Sequence, residues 1–183
     1  MKKELALVLI GFALAVMLFT IKPTLTGYFT AQSATCQNPI LTTVTSPGAT
    51  GYIVGLIDSA RSEIKVEIYV FTSRDVLSAL DRAVKRGVKV EVILEPRVSN
   101  NFDAIKTLKE YGVLVKWAST SFANTHSKLI IVDGITTFVG STNLSMHALE
   151  LNRETAVIIN DPCTAAFFVK TFDSDWAIAT NVK

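Results

Sequence analysis

Between His126 and Asn143 the chain reads His-Ser-Lys-Leu-Ile-Ile-Val-Asp, a short spacer, then Gly140-Ser141-Thr142-Asn143. An imidazole, an ammonium, a hydroxyl and an amide fall in one short stretch, and these are groups that can work on a phosphodiester. Cleaving such a bond at neutral pH needs a nucleophile, stabilisation of the phosphoryl oxygens and a proton for the departing oxygen. His126 can attack phosphorus, Lys128 can place a point charge beside the non-bridging oxygens, and Asn143 can donate through its amide. Ser141 can bind phosphate or water. Lys128 and Asn143 together supply what a metal supplies elsewhere, so neither a metal nor another cofactor is expected. Each residue also has an ordinary structural reading. A histidine in a strand is commonly packed or capping, and Gly-Ser-x-Asn is common turn chemistry.

The case rests on elements that bring the set together. Leu129 to Val132 reads as a buried strand, Asp133-Gly134 is a strong hairpin signal, and Thr136 to Val139 suits the return strand. If Asp133-Gly134 is a two-residue loop, Val132 faces Ile135, and counting back sets His126 opposite Ser141. Side chains alternate along a strand, so His126 and Lys128 share a face, as do Ser141 and Asn143. Asp133 lies in the turn, too far along for direct catalysis, and is expected to be structural, as is Gly140.

This arrangement resembles the phospholipase D superfamily, whose signature is His-x-Lys, four residues, Asp, then Gly-Ser-x-Asn. The match falls at His126, Lys128, Asp133, Gly140, Ser141 and Asn143. Small members of that family place an acidic residue where this chain has Asn152-Arg153-Glu154. The resemblance therefore implies that Glu154 orients the imidazole nitrogen that does not attack. On the residues alone, Glu154 is equally a surface residue at a strand edge. The likeness covers roughly residues 40 to 178 and is closest to the short bacterial endonuclease branch, whose members carry one motif copy and work as dimers. It implies a phosphohistidine intermediate that water hydrolyses. One histidine cannot easily attack phosphorus and also protonate the leaving group on the far side. The second His126 is therefore expected from a homodimer partner, with the active site on the two-fold axis. His147 matches nothing essential in the pattern.

The remaining sequence predicts an α/β layered fold, a mixed sheet flanked by helices, over residues 41 to 178. Leu41 to Thr45, Ile64 to Phe71, Val88 to Leu94 and Val113 to Trp117 read as strands, with Ile64, Val66, Ile68 and Val70 on one face. Helices are expected around Ile53 to Ala60, from an N-cap at Ser73 to a stop at Gly87, and from Asn100 or Asn101 with Phe102, Ile105 and Leu108 inward. A short segment Leu144 to Leu149, a strand Arg153 to Ile159 and a helix from Pro162 to about Trp176 follow. Phe167, Phe168, Phe172 and Trp176 recur at helical spacing, which favours packing against the sheet over a base-stacking platform.

At 183 residues, 49% of them hydrophobic, the chain suits one domain plus an appendage. Lys2 and Lys3 precede an uncharged apolar stretch from Leu5 to Ile21 that is closed by Lys22-Pro23. Residues 1 to 22 read as an N-terminal transmembrane anchor, with a cleaved signal helix the alternative, and residues 23 to 40 as a linker. With Lys2 and Lys3 cytoplasmic, the domain is expected outside the membrane, or secreted or periplasmic if the signal is cleaved. Of the 18 basic and 16 acidic residues, three and one fall in that first segment, so the remainder is neutral. No strong basic footprint demands nucleic acid. Arg82, Lys85, Arg86 and Lys89 form a local cluster that also suits the end of a helix. Cys36 and Cys163 either form a disulfide or are two free thiols, and their spacing suggests no zinc site. The expected function is a metal-independent phosphodiesterase, with nucleic acid favoured over phospholipid. A phospholipase D or cardiolipin hydrolase is the alternative, and a non-catalytic binding module is disfavoured by the intact nucleophile.

Overall fold

The computed structural model describes Cys36 and residues 39–182, which belong to a compact unit, Ala34–Lys183. The expected anchor at 1 to 22 and most of the linker at 23 to 40 lie outside the described residues. Among the described residues no helix is long and apolar enough to cross a membrane. The elements run β1 (Ile40–Thr45), α1 (Thr50–Asp58), β2 (Glu63–Ile68), α2 (Arg74–Lys85), β3 (Lys89–Leu94), α3 (Asn101–Glu110), β4 (Leu114–Trp117), β5 (Lys128–Val132), β6 (Thr136–Gly140), α4 (Met146–Glu150), β7 (Thr155–Asn160), α5 (Pro162–Ile178) and β8 (Thr180–Asn181). The strands form one eight-stranded mixed sheet in the order β1-β7-β6-β5-β2-β3-β4-β8. Only β2, β3 and β4 run parallel to their neighbours among themselves; the other pairs are antiparallel.

Helices cover both faces. Ile64, Val66 and Ile68 of β2, with Ile130 and Phe138, pack under Ile53 and Ile57 of α1, Leu80 of α2 and Leu108 of α3. On the opposite face Ile93, Leu129 and Ile131 meet Ala165 and Phe172 of α5. The alternation in β2 was legible, but its other face is not solvated: Lys65 and Glu67 are 7% and 2% exposed because α5 lies over them. Lys65 is tolerated there because Glu91 and Asp173 each stand 2.9 Å from its Nζ. In α5 the expected packing holds for Phe168, Phe172 and Trp176, whereas Phe167 is exposed.

The helix ends follow their signals. The Ser73 hydroxyl accepts the Val76 N–H at 3.4 Å, and Gly87 takes a φ of 86° while the Val88 N–H returns to Ala83 O. One inward face differs. Phe102 was expected inside α3 but is 57% exposed, because Asn101 takes the inward position with Ala104, Ile105 and Leu108. Its amide accepts the Phe71 N–H and donates to Tyr69 O and Glu95 O, which ties three loop segments together at one end of the sheet. The basic cluster is structural: Arg82 and Arg86 pair with Asp58, Lys85 with Asp81 and Lys89 with Glu91.

The hairpin forms, in a different register. Val132 pairs with Thr136 rather than facing Ile135, and Leu129 with Val139. Asp133 and Gly134 both adopt positive φ, and Ile135 is an extra residue on the return strand that donates to Val132 O. The one-residue slip moves the position opposite His126 from Ser141 to Thr142. Asp133 has the structural role expected of it. Its carboxylate accepts the N–H groups of Arg61, Ser62 and Glu63 and the Ser62 hydroxyl, fastening the α1–β2 loop to the hairpin. Burial alone would raise its pKa, but these hydrogen bonds outweigh burial and hold the carboxyl below its usual value. A carboxylate with a depressed pKa stabilises the fold above the ordinary carboxylate range, and that contribution is lost as pH falls through the folded-state value. Asp133→Ala should therefore cost about 1–3 kcal/mol at pH 7 and progressively less in acid. Denaturant midpoints of both proteins at pH 7 and pH 3 would check this.

Cys36 and Cys163 are bonded to each other, with Cα atoms 5.5 Å apart. The link joins the chain before β1 to the first turn of α5. It sits beside Ile40 and Asn160, which pair at the same end of the sheet.

Candidate active site

Four adjacent strands end together at the other end of the sheet. Ile68 at the close of β2 pairs with Lys128 at the start of β5, and Gly140 at the close of β6 pairs with Ala156 near the start of β7. The residues just beyond these ends are Tyr69, His126, Ser141 to Asn143, and Glu154. Gly140 is required by packing: a Cβ there would fall 2.4 Å from Thr155 O and 2.5 Å from Ala156 Cα. That close crossing of β6 and β7 sets where Ser141 and Asn143 emerge.

His126 is exposed, and Lys128 is 6% exposed at the mouth of the strand. Lys128 Nζ lies 3.0 Å from His126 Nδ1 and donates to His126 O at 2.7 Å. Tyr69 closes the pair from the β2 side. Its ring centroid is 4.4 Å from that of His126 and 5.1 Å from Lys128 Nζ. Burial lowers the pKa of Lys128, and the charge of Glu154 opposes that shift. With Lys128 donating to Nδ1, a neutral imidazole carries its proton on Nε2, the exposed nitrogen. That is the tautomer of a proton donor. Attack through Nε2 requires the proton on Nδ1 instead, with Lys128 turned from the ring toward the phosphoryl oxygens.

Ser141 and Glu154 meet each other rather than His126. Ser141 Oγ donates to Glu154 Oε2 at 2.5 Å and accepts the Thr155 N–H at 3.2 Å. Glu154 Oε1 accepts from Asn152 at 3.1 Å, and the Glu154 N–H donates to Ser46 Oγ. The orienting contact expected between Glu154 and the imidazole is thus replaced within this chain by a Ser141–Glu154–Asn152 chain of bonds. The hairpin slip is the physical reason Ser141 turns to β7. Asn143 is held by the Val70 N–H, which donates to its Oδ1 at 3.2 Å and leaves the NH2 group to donate. His147 is exposed near the start of α4.

Sequence reading passed over Tyr69 and Glu95, and took Asn101 only as a possible helix start. Glu95 is fully buried and accepts the Thr125 N–H at 2.7 Å, setting the backbone one residue before His126. Arg97, whose guanidinium stands 2.7 Å from Glu95, compensates its charge. Tyr69 carried a usable signal, since it directly follows a strand that ends beside the motif. Among the described residues, the one cluster with metal-ligand spacing is Cys36, Asp161 and Cys163, and its two sulfurs are bonded to each other.

The family model described as "Cardiolipin synthase, PLD-like domain" matches residues 53–176. Cardiolipin synthase A of Proteus mirabilis is 34% identical over 131 residues, which cover 62% of this chain and 24% of that protein. The mitochondrial cardiolipin hydrolase of Chlamydomonas reinhardtii is 24% identical over 132 residues, 72% of this chain and 59% of that protein. The chain therefore spans about a quarter of the length of the synthase and somewhat over half that of the hydrolase. Among solved structures, the phospholipase D family member Nuc from Salmonella typhimurium superposes with a TM-score of 0.75 at 30% identity, covering 80% of this chain and 99% of Nuc.

Proposed function

The chain belongs to the phospholipase D superfamily, whose enzymes act on phosphodiester bonds, and we propose that it is a metal-independent phosphodiesterase that cleaves nucleic acid through a phosphohistidine intermediate. The observation that carries this reading is the His126–Lys128 pair, 3.0 Å apart at the open end of the sheet. His126 Nε2 attacks phosphorus and displaces the leaving oxygen, and water then hydrolyses the phosphorus–nitrogen bond. Lys128 and the Asn143 amide stabilise the phosphoryl oxygens. Ser141, set by Glu154, supplies a further phosphate contact, and Glu154 also balances the charge of Lys128.

The active unit in this reading is a homodimer, with the active site on the two-fold axis. One His126 is then the nucleophile and the partner's imidazole, in the Nε2–H tautomer, protonates the leaving oxygen. Nucleic acid is favoured because the single-motif sequence resembles the short endonuclease branch, and the likeness to the phospholipase D family member Nuc runs over 99% of that chain. The specific observation favouring the other reading, hydrolysis or transfer on a phospholipid, is the match to a cardiolipin synthase domain and to a cardiolipin hydrolase. We further propose that residues 1 to 22 anchor the protein and that the domain lies outside the cytoplasm. The Cys36–Cys163 disulfide supports that location, since such bonds persist in oxidising compartments.

The test incubates the full chain with single- and double-stranded DNA, RNA and phospholipid vesicles containing cardiolipin, in excess chelator. Nucleic acid should be cleaved at an undiminished rate. Cleavage of the vesicles alone would select the lipid reading. Loss of all turnover in chelator, restored by zinc or magnesium, would sink the metal-free mechanism.

A further inference from the structure

Behind the His-x-Lys strand, on the face covered by α5, lies a carboxyl that the reaction does not use. Glu67 is one residue short of the end of β2 and pairs with Leu129 on β5 and Ile93 on β3. It is 2% exposed, and its Oε2 has no hydrogen-bond partner. Its polar neighbours are the Ser127 hydroxyl and the Asp175 carboxyl of α5. Ser127 is the residue between His126 and Lys128, and its carbonyl accepts the Tyr69 N–H at 3.1 Å. One contact behind the sheet therefore reaches both the middle of the His-x-Lys segment and the base of the Tyr69 ring.

The charged groups facing Glu67 leave it no cation. Lys65 of the same strand is taken by Glu91 of β3 and Asp173 of α5. Glu95 beyond β3 is held by Arg97, and Lys116 of β4 donates to Trp176 O while lying 4.7 Å over that ring. From β5 this face receives Ser127, Leu129 and Ile131, none of them charged. Two carboxyl groups in such a place do not both ionise readily. A neutral Glu67 can donate to Asp175 while accepting from Ser127, which satisfies all three groups. Ionised, it faces Asp175 with like charge.

We propose that Glu67 is a positioning residue for the phosphoryl-transfer site: kept neutral against Asp175, it holds Ser127 and thereby fixes where His126 and Lys128 stand. The inference rests on the reading of that pair as the reacting groups. Burial, and secondarily the charge of Asp175, push the Glu67 pKa up to about 7 against the opposing hydrogen bond from Ser127. In alkaline medium the proton shared with Asp175 is lost, and like-charge repulsion from Asp175 displaces the carboxyl on which Ser127 rests.

The comparison is between the full-length wild type and Glu67→Gln, whose amide can still donate to Asp175 and accept from Ser127 but cannot ionise. Turnover of bis(p-nitrophenyl) phosphate is measured from pH 6 to pH 8.5. At pH 8.5 about 3% of a group titrating near 7 keeps its proton. The kcat ratio of Glu67→Gln to wild type should therefore rise from near one at pH 6 to at most about thirtyfold at pH 8.5, the ceiling reached if the ionised form is inactive. KM should change little. Glu67→Ala should lose kcat across the range, and in a Ser127→Ala background the advantage of Glu67→Gln should vanish. Superimposable profiles for wild type and Glu67→Gln, or a Glu67→Ala protein as active as Glu67→Gln, would overturn the proposal. Binding of orthovanadate, a phosphoryl mimic, gives the same ratio without turnover. A wild type that binds vanadate yet cleaves no phosphodiester would count against the phosphodiesterase reading alone, and its ratio to Glu67→Gln would still decide the role of Glu67.

Discussion

His126→Ala is expected to eliminate turnover, by at least about four orders of magnitude, while leaving the thermal midpoint within a degree or two of wild type. The stability expectation follows from exposure: the ring lies outside both cores, and its contacts are with the Tyr69 ring and Lys128. The activity expectation follows from chemistry, because no other described side chain at this end of the sheet is a comparable nucleophile. Lys128→Ala should come close, with a loss of about 10²–10³ in kcat, since it removes the charge placed against the phosphoryl oxygens. It should also be less stable than His126→Ala, because Lys128 is buried where His126 is not. A fully active His126→Ala protein would remove the central claim.

The second large effect concerns subunit composition. Mixed dimers of wild-type and His126→Ala chains have one competent imidazole at a site that needs one on each side of phosphorus. Such hybrids should form an adduct or bind substrate but turn over at a few per cent of the parent rate. Hybrids purified by two distinguishable tags, assayed at a concentration where sedimentation finds dimers, give the measurement. A fully active monomer, or hybrids with half the parent activity, would mean that the acid comes from the same chain. His147, exposed near the start of α4, would be the first candidate.

Much of the fold was legible because its signals are local. The Ser73 cap, the Gly87 stop, the alternation in β2 and the strand Leu129 to Val132 each depend on neighbours within a few residues. The register of the hairpin was not, because Asp133-Gly134 fixes the turn but not whether Ile135 pairs or bulges. That single residue decides whether Ser141 meets His126 or Glu154. The buried Lys65 and Glu67 were also unreadable, since what covers that face is α5, a helix more than 90 residues later in the chain. At the site, motif spacing brought His126, Lys128, Asn143 and Glu154 to one end of the sheet. The roles of Tyr69, Glu95 and Asn101 were missed because these residues, two just past strand ends and one at the start of α3, become neighbours only when β2, β3 and β5 align.

The bond between Cys36 and Cys163 gives the domain a polarity. It lies at the Ile40–Asn160 end of the sheet, whereas His126 and Lys128 emerge where β7 begins. The two poles are separated by the six residues of β7, about 20 Å at the usual strand rise. What fastens each pole is different in kind. At one, a covalent bond ties the chain before β1 to the first turn of α5; at the other, His126 and Lys128 are placed by strand ends and hydrogen bonds alone. A disturbance at the bonded pole has the whole length of β7 over which to die away before it reaches the reacting groups.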